Sequence, residues 1–446
     1  MKGGIVVMLF LLLVALILLL LVAYVIMRQD ILSPWVISIY MFIITVAVAT
    51  LNYSKWNEDI SSITVLSVLV ALIFFGAGEI VGRSFLTQFS ISHNSKDYSI
   101  LSSNQYIRIK KRYIFVTIAV ISMVIYFHYN HILSLARQVG FSSSMHNLLY
   151  YVRIAQFSPE IDSSRSGLLN LGLTFSTVIS YFFIFVFMFN FIISEHKKKY
   201  YRYLIPGLLN VINIVLTTGR TQFINLATFI LILLFFMLKH KYKWSTRLNN
   251  KILTYGIIGV ILFLVIFRMS GYLTGKSESI SLWDNISIYL GSPIIALSKY
   301  FESPPERFLF GSETFYSIYH ILRKFGFDIP QYDLIHSFIS WDSVSNVNIY
   351  TSIRRYIHDF GFLGMSIMMF SLGLFYGFFY KYVKIKRNVD LRTVVYAMYF
   401  FPITQIALEE RFFTNIVSIQ GVYNLTFIFL IWKYFIKEKN LVTNRC

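Results

Sequence analysis

The sequence predicts an all-α polytopic integral membrane protein, and three observations support this class. Of its 446 residues, 56% are hydrophobic and only 14% are charged, whereas soluble domains average about 25% charged residues. Aromatic residues reach 18%, with 43 phenylalanines and 31 tyrosines. Windows of about 19 residues find about eleven apolar runs that could cross the hydrocarbon core of a bilayer.

Each predicted membrane-spanning helix is an apolar run bounded by polar or basic residues. The runs are residues 5–27, 34–52, 62–82, 113–131, 168–193, 203–217, 221–238, 252–269, 359–380, 392–409 and 414–432. The first run is followed by Arg28 and has no small-residue cleavage site. We therefore expect it to be a retained span rather than a removed signal peptide.

The basic residues predict the topology. Of the 40 lysines and arginines, 25 fall in one alternating set of loops, which the positive-inside rule places in the cytoplasm. The N-terminus is then outside and the C-terminus inside. Two large loops, 132–167 and 270–358, fall on the extracytoplasmic side. We expect residues 1–446 to form a single transmembrane domain.

Composition and motifs exclude several functions. The formal charge of +19 follows the positive-inside pattern, so we predict no nucleic-acid partner. Cys446 is the only cysteine, which argues against disulfides, thiolate metal sites and a cysteine nucleophile. No GxxxxGK[ST] motif is present, and no GxGxxG motif follows a strand, so a nucleotide-driven pump is disfavoured. We predict no metal and no cofactor.

Residues 346–364 (NVNIYTSIRRYIHDFGFLG) carry the densest set of ionisable groups near a membrane entry. Charge close to lipid is costly and usually functional. Arg354 and Arg355 are adjacent, so on a helix one could face a cavity while the other meets lipid headgroups. The pairs Arg354–His358 and Arg355–Asp359 are each spaced four residues apart, on one helix face. A structural ion pair is the alternative explanation of the second pair.

Arg220 lies in TTGRTQ, between two apolar runs joined by a short turn. It could extend to lipid phosphates from the interface, or it could bind a phosphate or diphosphate in a cavity. Glu313 lies in the long loop, where an exposed carboxylate is the default. Glu409, Glu410 and Arg411 are interpreted as a short polar turn.

Two further patterns concern packing. Glu79 and Arg83 are four residues apart near the inner end of their span, so Glu79 is expected to pair with Arg83 or to extend towards the interface. Gly373 and Gly377 form a small-xxx-small pair, which lets a neighbouring helix approach closely.

Residues 346–380 resemble a signature of the Wzy-type oligosaccharide repeat-unit polymerases, which make O-antigen, capsule and exopolysaccharide. The matching residues are Asn348, Tyr350, Thr351, Asp359, Phe360, Gly361 and Gly364. The chain also resembles weaker sequence patches of the same family at residues 217–221, 289–300 and 310–326. The number of spans and the large loop between helices 8 and 9 are also similar to the family's layout.

The resemblance implies a GT-C-like membrane glycosyltransferase architecture, with loop 270–358 covering part of the active site. It implies a polyprenyl-diphosphate-linked oligosaccharide as substrate at the outer face of the cytoplasmic membrane. The growing glycan would be transferred from its lipid carrier onto the incoming lipid-linked unit. A flippase and a chain-length regulator of the same pathway are the implied protein partners.

Such a site mainly needs positive charge for the leaving diphosphate and a base near the incoming hydroxyl. We assign the diphosphate to Arg220 and to one of Arg354 and Arg355. The candidate bases are His358, Asp359 and Glu313, and the candidate sugar ligands are Asn348 and Tyr350.

Three alternatives remain at this stage. A transferase similar to the O-antigen ligases would attach a finished glycan to another acceptor. A flippase for lipid-linked oligosaccharides would be expected to show related halves and charges deep in the bundle, whereas no internal repeat is visible. A non-catalytic scaffold or length regulator is the third.

Overall fold

The computed structural model describes residues 8–89, 106–142, 148–158, 160–193, 197–242, 244, 254, 281–306, 309–330, 336–342, 344–385 and 389–437. Of the residues in these ranges, 77% are helical. Within the described ranges, eight helices are long and apolar enough to cross a membrane. The predicted class is therefore confirmed at the level of a helical, multi-pass membrane protein.

The described part of the chain begins with ten helices, the last of which lies within the predicted loop 270–358. They are α1 (Met8–Ile26), α2 (Pro34–Leu51), α3 (Tyr53–Trp56), α4 (Ser62–Phe89), α5 (Lys111–Gln138), α6 (Leu148–Phe157), α7 (Gly167–Ile193), α8 (Ile205–Leu216), α9 (Thr221–Lys241) and α10 (Leu282–Glu302). A 3₁₀ segment, Lys197–Leu204, precedes α8.

The remaining elements include a short hairpin. They are α11 (Tyr316–Lys324), β1 (Ile339–Trp341), β2 (Val344–Val347), α12 (Ser352–Ile385), α13 (Leu391–Tyr399), α14 (Phe401–Gln405) and α15 (Ile419–Trp432). The two strands are antiparallel, with Ile339 opposite Val347 and Trp341 opposite Val344. Two π-helical turns, Phe412–Ile416 and Lys433–Lys437, flank α15.

The chain divides into two compact units. The first unit comprises Met1–Lys96, Leu282–Lys386 and Phe401–Ile419, and the second comprises Asp97–Ser281, Arg387–Phe400 and Gln420–Cys446. The first unit holds α1 to α4, α10 to α12, α14 and the hairpin. The second holds α5 to α9, α13 and almost all of α15. A single transmembrane domain over residues 1–446 stays a prediction.

Helices α4 and α12 of the first unit pack backbone to backbone. A Cβ atom added at Gly78 would collide with the Phe370 carbonyl oxygen, and one added at Gly373 would collide with the Phe75 carbonyl oxygen. At Gly377 an added Cβ would collide with the backbone of Glu79. The predicted role of the Gly373–Gly377 pair is confirmed, because only small residues allow this approach.

Helix α12 is interrupted at Gly361, two residues after Asp359. Gly361 has φ 69° and ψ −173°, a region that only glycine adopts without strain. The two turns before this break, residues 352–360, form a separate short helix that carries Arg354, Arg355, His358 and Asp359. The helix therefore begins earlier than the predicted span 359–380, which covers only its continuation.

Gly361→Ala is expected to destabilise the first unit by about 1–3 kcal/mol through backbone strain alone. No heavy atom of the described residues lies within 4 Å of an added Cβ at this position, so the expected cost comes from the backbone conformation. Thermal unfolding in detergent measures the effect. Gly167→Ala is the matched control, since its Cβ also meets nothing within 4 Å and its φ is not positive. Equal midpoints for the two variants would contradict the assignment.

The parallel packing of α4 and α12 gives the first unit two distinct ends. Arg83 and Lys384 lie together at the end where both helices finish, beside Asp30. At the opposite end, the Asp59 carboxylate accepts hydrogen bonds from the backbone N–H groups of Met8 and Leu9, the start of α1. This arrangement agrees with the charge-based topology, whose orientation in a membrane stays a prediction.

Two of the predicted spans differ from the helices of the described residues, and a third lies almost wholly outside the described ranges. Residues 203–217 contain α8, whose 12 residues are too few for a crossing. Residues 392–409 are broken between α13 and α14, where Pro402 lies in the first turn of α14. Apart from residue 254, residues 252–269 lie outside the described ranges. The predicted count of about eleven stays a prediction.

The two predicted large loops contain ordered elements. Within 132–167, α5 continues to Gln138 and α6 packs against it through Ile132, Ala136 and Val152. Within 270–358 lie α10, α11, the hairpin and the start of α12. Helix α10 is continuous through Pro293, and Gly291 allows it to contact the backbone of α2 at Ala49.

Candidate functional site

A buried ionic cluster surrounds the start of α12 in the first unit. Arg354, Arg355, His358 and Asp359 lie on the two turns that precede Gly361, and all four are buried. The turn that leads into α11 brings Glu313 against them. Ionised groups removed from water require partners, and each of these has one.

Asp359 fixes the backbone that carries Glu313. Its carboxylate is fully buried and accepts hydrogen bonds from the N–H groups of Glu313, at 3.3 Å, and Thr314, at 2.6 Å. The next residue, Phe360, packs its ring against Phe310 at 5.0 Å and Phe315 at 5.7 Å. The Asp-Phe-Gly run thus positions the Glu313 turn, and both oxygens of Asp359 are engaged by N–H groups of that turn.

Glu313 is the centre of the cluster. Arg354 Nη1 donates a hydrogen bond to its Oε2, and His358 Nε2 lies 3.6 Å from its Oε1. The Glu313 side chain is 17% exposed, whereas the Arg354 side chain is 3% exposed. Among Glu313, Arg354 and His358, Glu313 is therefore the ionisable group that solvent or a substrate reaches most easily.

Arg354 lies close to two aromatic rings. Its guanidinium carbon lies 5.2 Å from the ring centroids of Tyr300 and Tyr350, which is cation–π geometry. Its Nη1 is also 2.7 Å from His336 Nδ1, and among the described residues its buried Nε has no hydrogen-bond partner. Tyr350 in turn donates its hydroxyl to the Ser337 carbonyl oxygen.

His336 is a neutral acceptor in this cluster. Burial, followed by the positive charges of Arg355 and Arg354, holds the pKa of His336 well below its usual range. At pH 7 the imidazole is therefore uncharged. Its Nδ1 accepts from Arg354, so its 3.7 Å approach to Glu313 Oε2 is not an ion pair.

Arg355 diverges from Arg354 towards a second carboxylate. Its Nη1 donates to the Glu313 carbonyl oxygen at 3.1 Å, and its Nη2 lies 3.9 Å from Glu409 Oε1. Arg411 forms an ion pair with the same Glu409 carboxylate. Both Arg354 and Arg355 are 2% exposed, so the expectation that one of them meets lipid headgroups is wrong.

Glu410 lies at the edge of the cluster, next to the π-helical turn Phe412–Ile416. Its carboxylate accepts hydrogen bonds from Tyr356 Oη and from the N–H groups of Phe412, Phe413 and Thr414. Burial raises the pKa of Glu410, and these N–H groups together with Arg355 oppose that shift. A cavity of about 10 Å³ lies beside Glu409, Glu410 and Arg411, enough for about one water molecule.

The structure brings together five of the eight nominated residues. Glu313, Arg354, Arg355, His358 and Asp359 form the cluster. Tyr350 adjoins it by stacking on Arg354, and Asn348 is half-buried in the segment between β2 and α12.

Arg220 belongs to the second unit, where it directly precedes α9. The turn before it is held by a hydrogen bond of 2.9 Å from the Thr218 hydroxyl to Gln156 of α6. Thr218 has φ 59°, an uncommon conformation for a β-branched residue, so this turn is tightly specified.

Sequence reasoning missed part of the cluster. Tyr300 and His336 lie 54 and 18 residues from Arg354 in the chain, and no local pattern connects them to it. Glu409 and Glu410 were interpreted as an ordinary polar turn. The run of five ionisable or aromatic residues EERFF at 409–413 was the available signal, because two adjacent carboxylates beside apolar residues need cations or N–H groups.

Within the described ranges, His, Cys, Asp and Glu side chains form no group of three or more that could hold a metal ion. The cluster instead offers a partly open carboxylate, three guanidinium groups and two imidazoles. Comparisons with protein-family models, curated proteins and solved structures found no match for this chain.

Proposed function

We propose that this protein is a membrane glycosyltransferase that polymerises polyprenyl-diphosphate-linked oligosaccharide units. The observation that carries the proposal is the buried cluster that Glu313 forms with residues 354–359, which belong to the segment 346–380 that resembles the repeat-unit polymerases. It combines cations for a leaving diphosphate with a carboxylate that an incoming hydroxyl can reach. The corresponding proposed architecture is GT-C-like, in the cytoplasmic membrane, with the N-terminus outside and the C-terminus inside.

In the proposed reaction, the acceptor hydroxyl oxygen forms a bond to the anomeric carbon of the donor glycan. The bond from that carbon to the phosphate oxygen breaks, and polyprenyl diphosphate leaves with the electron pair. The hydroxyl proton passes to the Glu313 carboxylate, which acts as the general base. Asp359 is a positioning residue, since it acts through the backbone of Glu313.

Arg354 and Arg355 supply the positive charge in this scheme. Guanidinium groups that are buried and fixed in advance stabilise developing negative charge more strongly than exposed ones. Arg220 lies in the second unit and is proposed separately as a phosphate-binding residue. Asn348 and Tyr350 are proposed to bind sugar, and a flippase and a chain-length regulator are the proposed protein partners.

The position of the charges favours polymerisation or ligation over transport. On α12 the ionisable residues lie in the first two turns and near the last turns, with apolar or small residues between them. A flippase for a charged lipid head would be expected to carry polar groups along the crossing.

The proposal is tested with purified protein and a defined lipid-linked repeat unit. We expect products that grow by whole repeats, with release of polyprenyl diphosphate. Transfer of glycan only to a different acceptor would replace the proposal by the ligase-like alternative. In cells, a deletion strain should accumulate single repeat units on carriers outside the cytoplasmic membrane, and units trapped inside would indicate a flippase.

A further inference from the structure

Helix α11 and the turns on either side of it form an exposed apolar surface, which we call the aromatic ramp (Phe310, Ile318, Phe325 and Phe327). Phe310 is 72% exposed and Phe325 is 79% exposed. No residue of α11 is fully buried. A single exposed apolar side chain is common on a protein surface, but several large ones in one short stretch mark an interaction surface.

The ramp is held in place by hydrogen bonds. The Tyr319 hydroxyl donates to the Phe310 carbonyl oxygen at 2.7 Å, which ties the preceding turn to α11. After the helix, Arg323 donates to the carbonyl oxygens of Ile329 and Pro330 at 3.0 and 2.9 Å. The chain turns back at Gly326, where φ is 90°. The exposed rings therefore belong to a defined surface.

This surface is continuous with the lipid-facing side of α12. The Phe310 ring centroid lies 5.0 Å from that of Phe360, just before the break in α12. One turn further along α12, Leu363 is 76% exposed. Because α12 is one of the membrane-crossing candidates, its exposed apolar side chains face acyl chains. The ramp therefore lies where α12 enters the bilayer.

The charges near the ramp fit a lipid surface. Arg323 and Lys324 end α11, and Asp328 is the carboxylate that follows. Aromatic rings beside basic residues on a short amphipathic helix are typical of segments that lie in the headgroup region of a bilayer.

We propose that the aromatic ramp is embedded in the headgroup region of the leaflet at the Glu313 end of α12, with Arg323 and Lys324 near lipid phosphates. Glu313 is three residues after Phe310 in the chain. One consequence rests on the proposed function: the diphosphate head of a lipid-linked substrate would reach Glu313 at its own depth in the leaflet, without leaving the membrane.

Spin-label accessibility tests the depth of the ramp. The full chain is used with Cys446→Ser, which removes the only cysteine. Nitroxides are then placed singly through Phe310→Cys or Phe325→Cys. Leu363→Cys provides the lipid reference and Asp342→Cys, exposed beside the hairpin, provides the aqueous reference. Power saturation with oxygen and with a water-soluble nickel chelate is measured in phosphatidylglycerol–phosphatidylethanolamine nanodiscs.

Labels at positions 310 and 325 should give a ratio of oxygen to nickel relaxation between those of position 363 and position 342. Nickel accessibility equal to that at position 342 would overturn the proposal. So would spin–spin broadening between labels, because it would place a second copy of the chain on the ramp. Position 325 gives an answer even if Phe310→Cys disturbs the packing on Phe360. No substrate is needed, so failure of the proposed enzymatic function would leave this measurement unaffected.

Discussion

Glu313→Gln is expected to lower the rate of repeat-unit elongation by about 10²- to 10⁴-fold, the usual contribution of a general base. Glutamine keeps the size of the side chain and an oxygen that can accept from Arg354, so the packing of the cluster is preserved. What it loses is the ability to take the proton of the acceptor hydroxyl. The measurement is single-turnover elongation by purified protein with a lipid-linked repeat.

The matched control is Glu302→Gln at the end of α10. Its side chain is 58% exposed and pairs only loosely with Lys299, at 3.5 Å. We expect normal elongation and a normal amount of protein in the membrane. Elongation by the Glu313 variant at the rate of this control would remove Glu313 from the chemistry. His358, whose Nε2 lies 3.6 Å from Glu313 Oε1, would then be the next candidate base.

The parts of the site that depend on local spacing could be predicted from the sequence. Arg354, Arg355, His358 and Asp359 lie within six positions, so a helix necessarily brings them near one another. Their long-range partners could not be predicted in this way. Glu313 was nominated through a family resemblance, and the chain alone gives no reason for Asp359 to accept from its N–H group rather than pair with Arg355.

The fold, too, has features that the sequence predicts and features that it does not. Gly373 and Gly377 were interpreted correctly because small residues four apart have one dominant use between membrane helices. The break at Gly361 was not predicted, since a lone glycine in an apolar helix is compatible with uninterrupted helix. Pro402 was an available signal that residues 392–409 are not one helix, because proline disfavours helix in the residue before it.

Arg83→Met is expected to destabilise the first unit by about 3–5 kcal/mol, the cost of leaving the buried Glu79 carboxylate without its cation. Arg83 Nε donates to Glu79 Oε1 at 2.8 Å, and its Nη1 lies 3.6 Å from Asp30 Oδ2. The Glu79 side chain is 0% exposed, so water cannot replace the lost cation. Unfolding midpoints in detergent measure the effect. Arg137→Met, at an exposed position near the end of α5, is the control.

A double variant separates loss of charge from loss of packing. Glu79→Gln removes the buried charge, and its amide oxygen can still accept from the Trp35 N–H group while its NH2 group can donate to Ser33 Oγ, in place of the two carboxylate oxygens. Adding it to Arg83→Met should recover much of the lost stability, because no uncompensated carboxylate remains at that position. If the double variant is no more stable than Arg83→Met alone, lost packing of the Arg83 side chain over the Tyr380 ring accounts for most of the destabilisation instead.

The Arg83→Met and Glu313→Gln variants should affect different properties, stability in the first case and elongation rate in the second. Arg83 and Asp30 lie at the end of α4 and α12 that is opposite to Glu313, and Lys384 and Tyr380 bind the same Asp30 carboxylate at 2.8 and 2.7 Å. Loss of this cation weakens the contact between the α1–α2 turn and both helices but leaves the residues before Gly361 in place. Each folded molecule of the Arg83 variant should therefore elongate glycan at the normal rate, at temperatures below its lowered midpoint. A rate that falls in parallel with stability at those temperatures would show that the two ends of α12 are coupled.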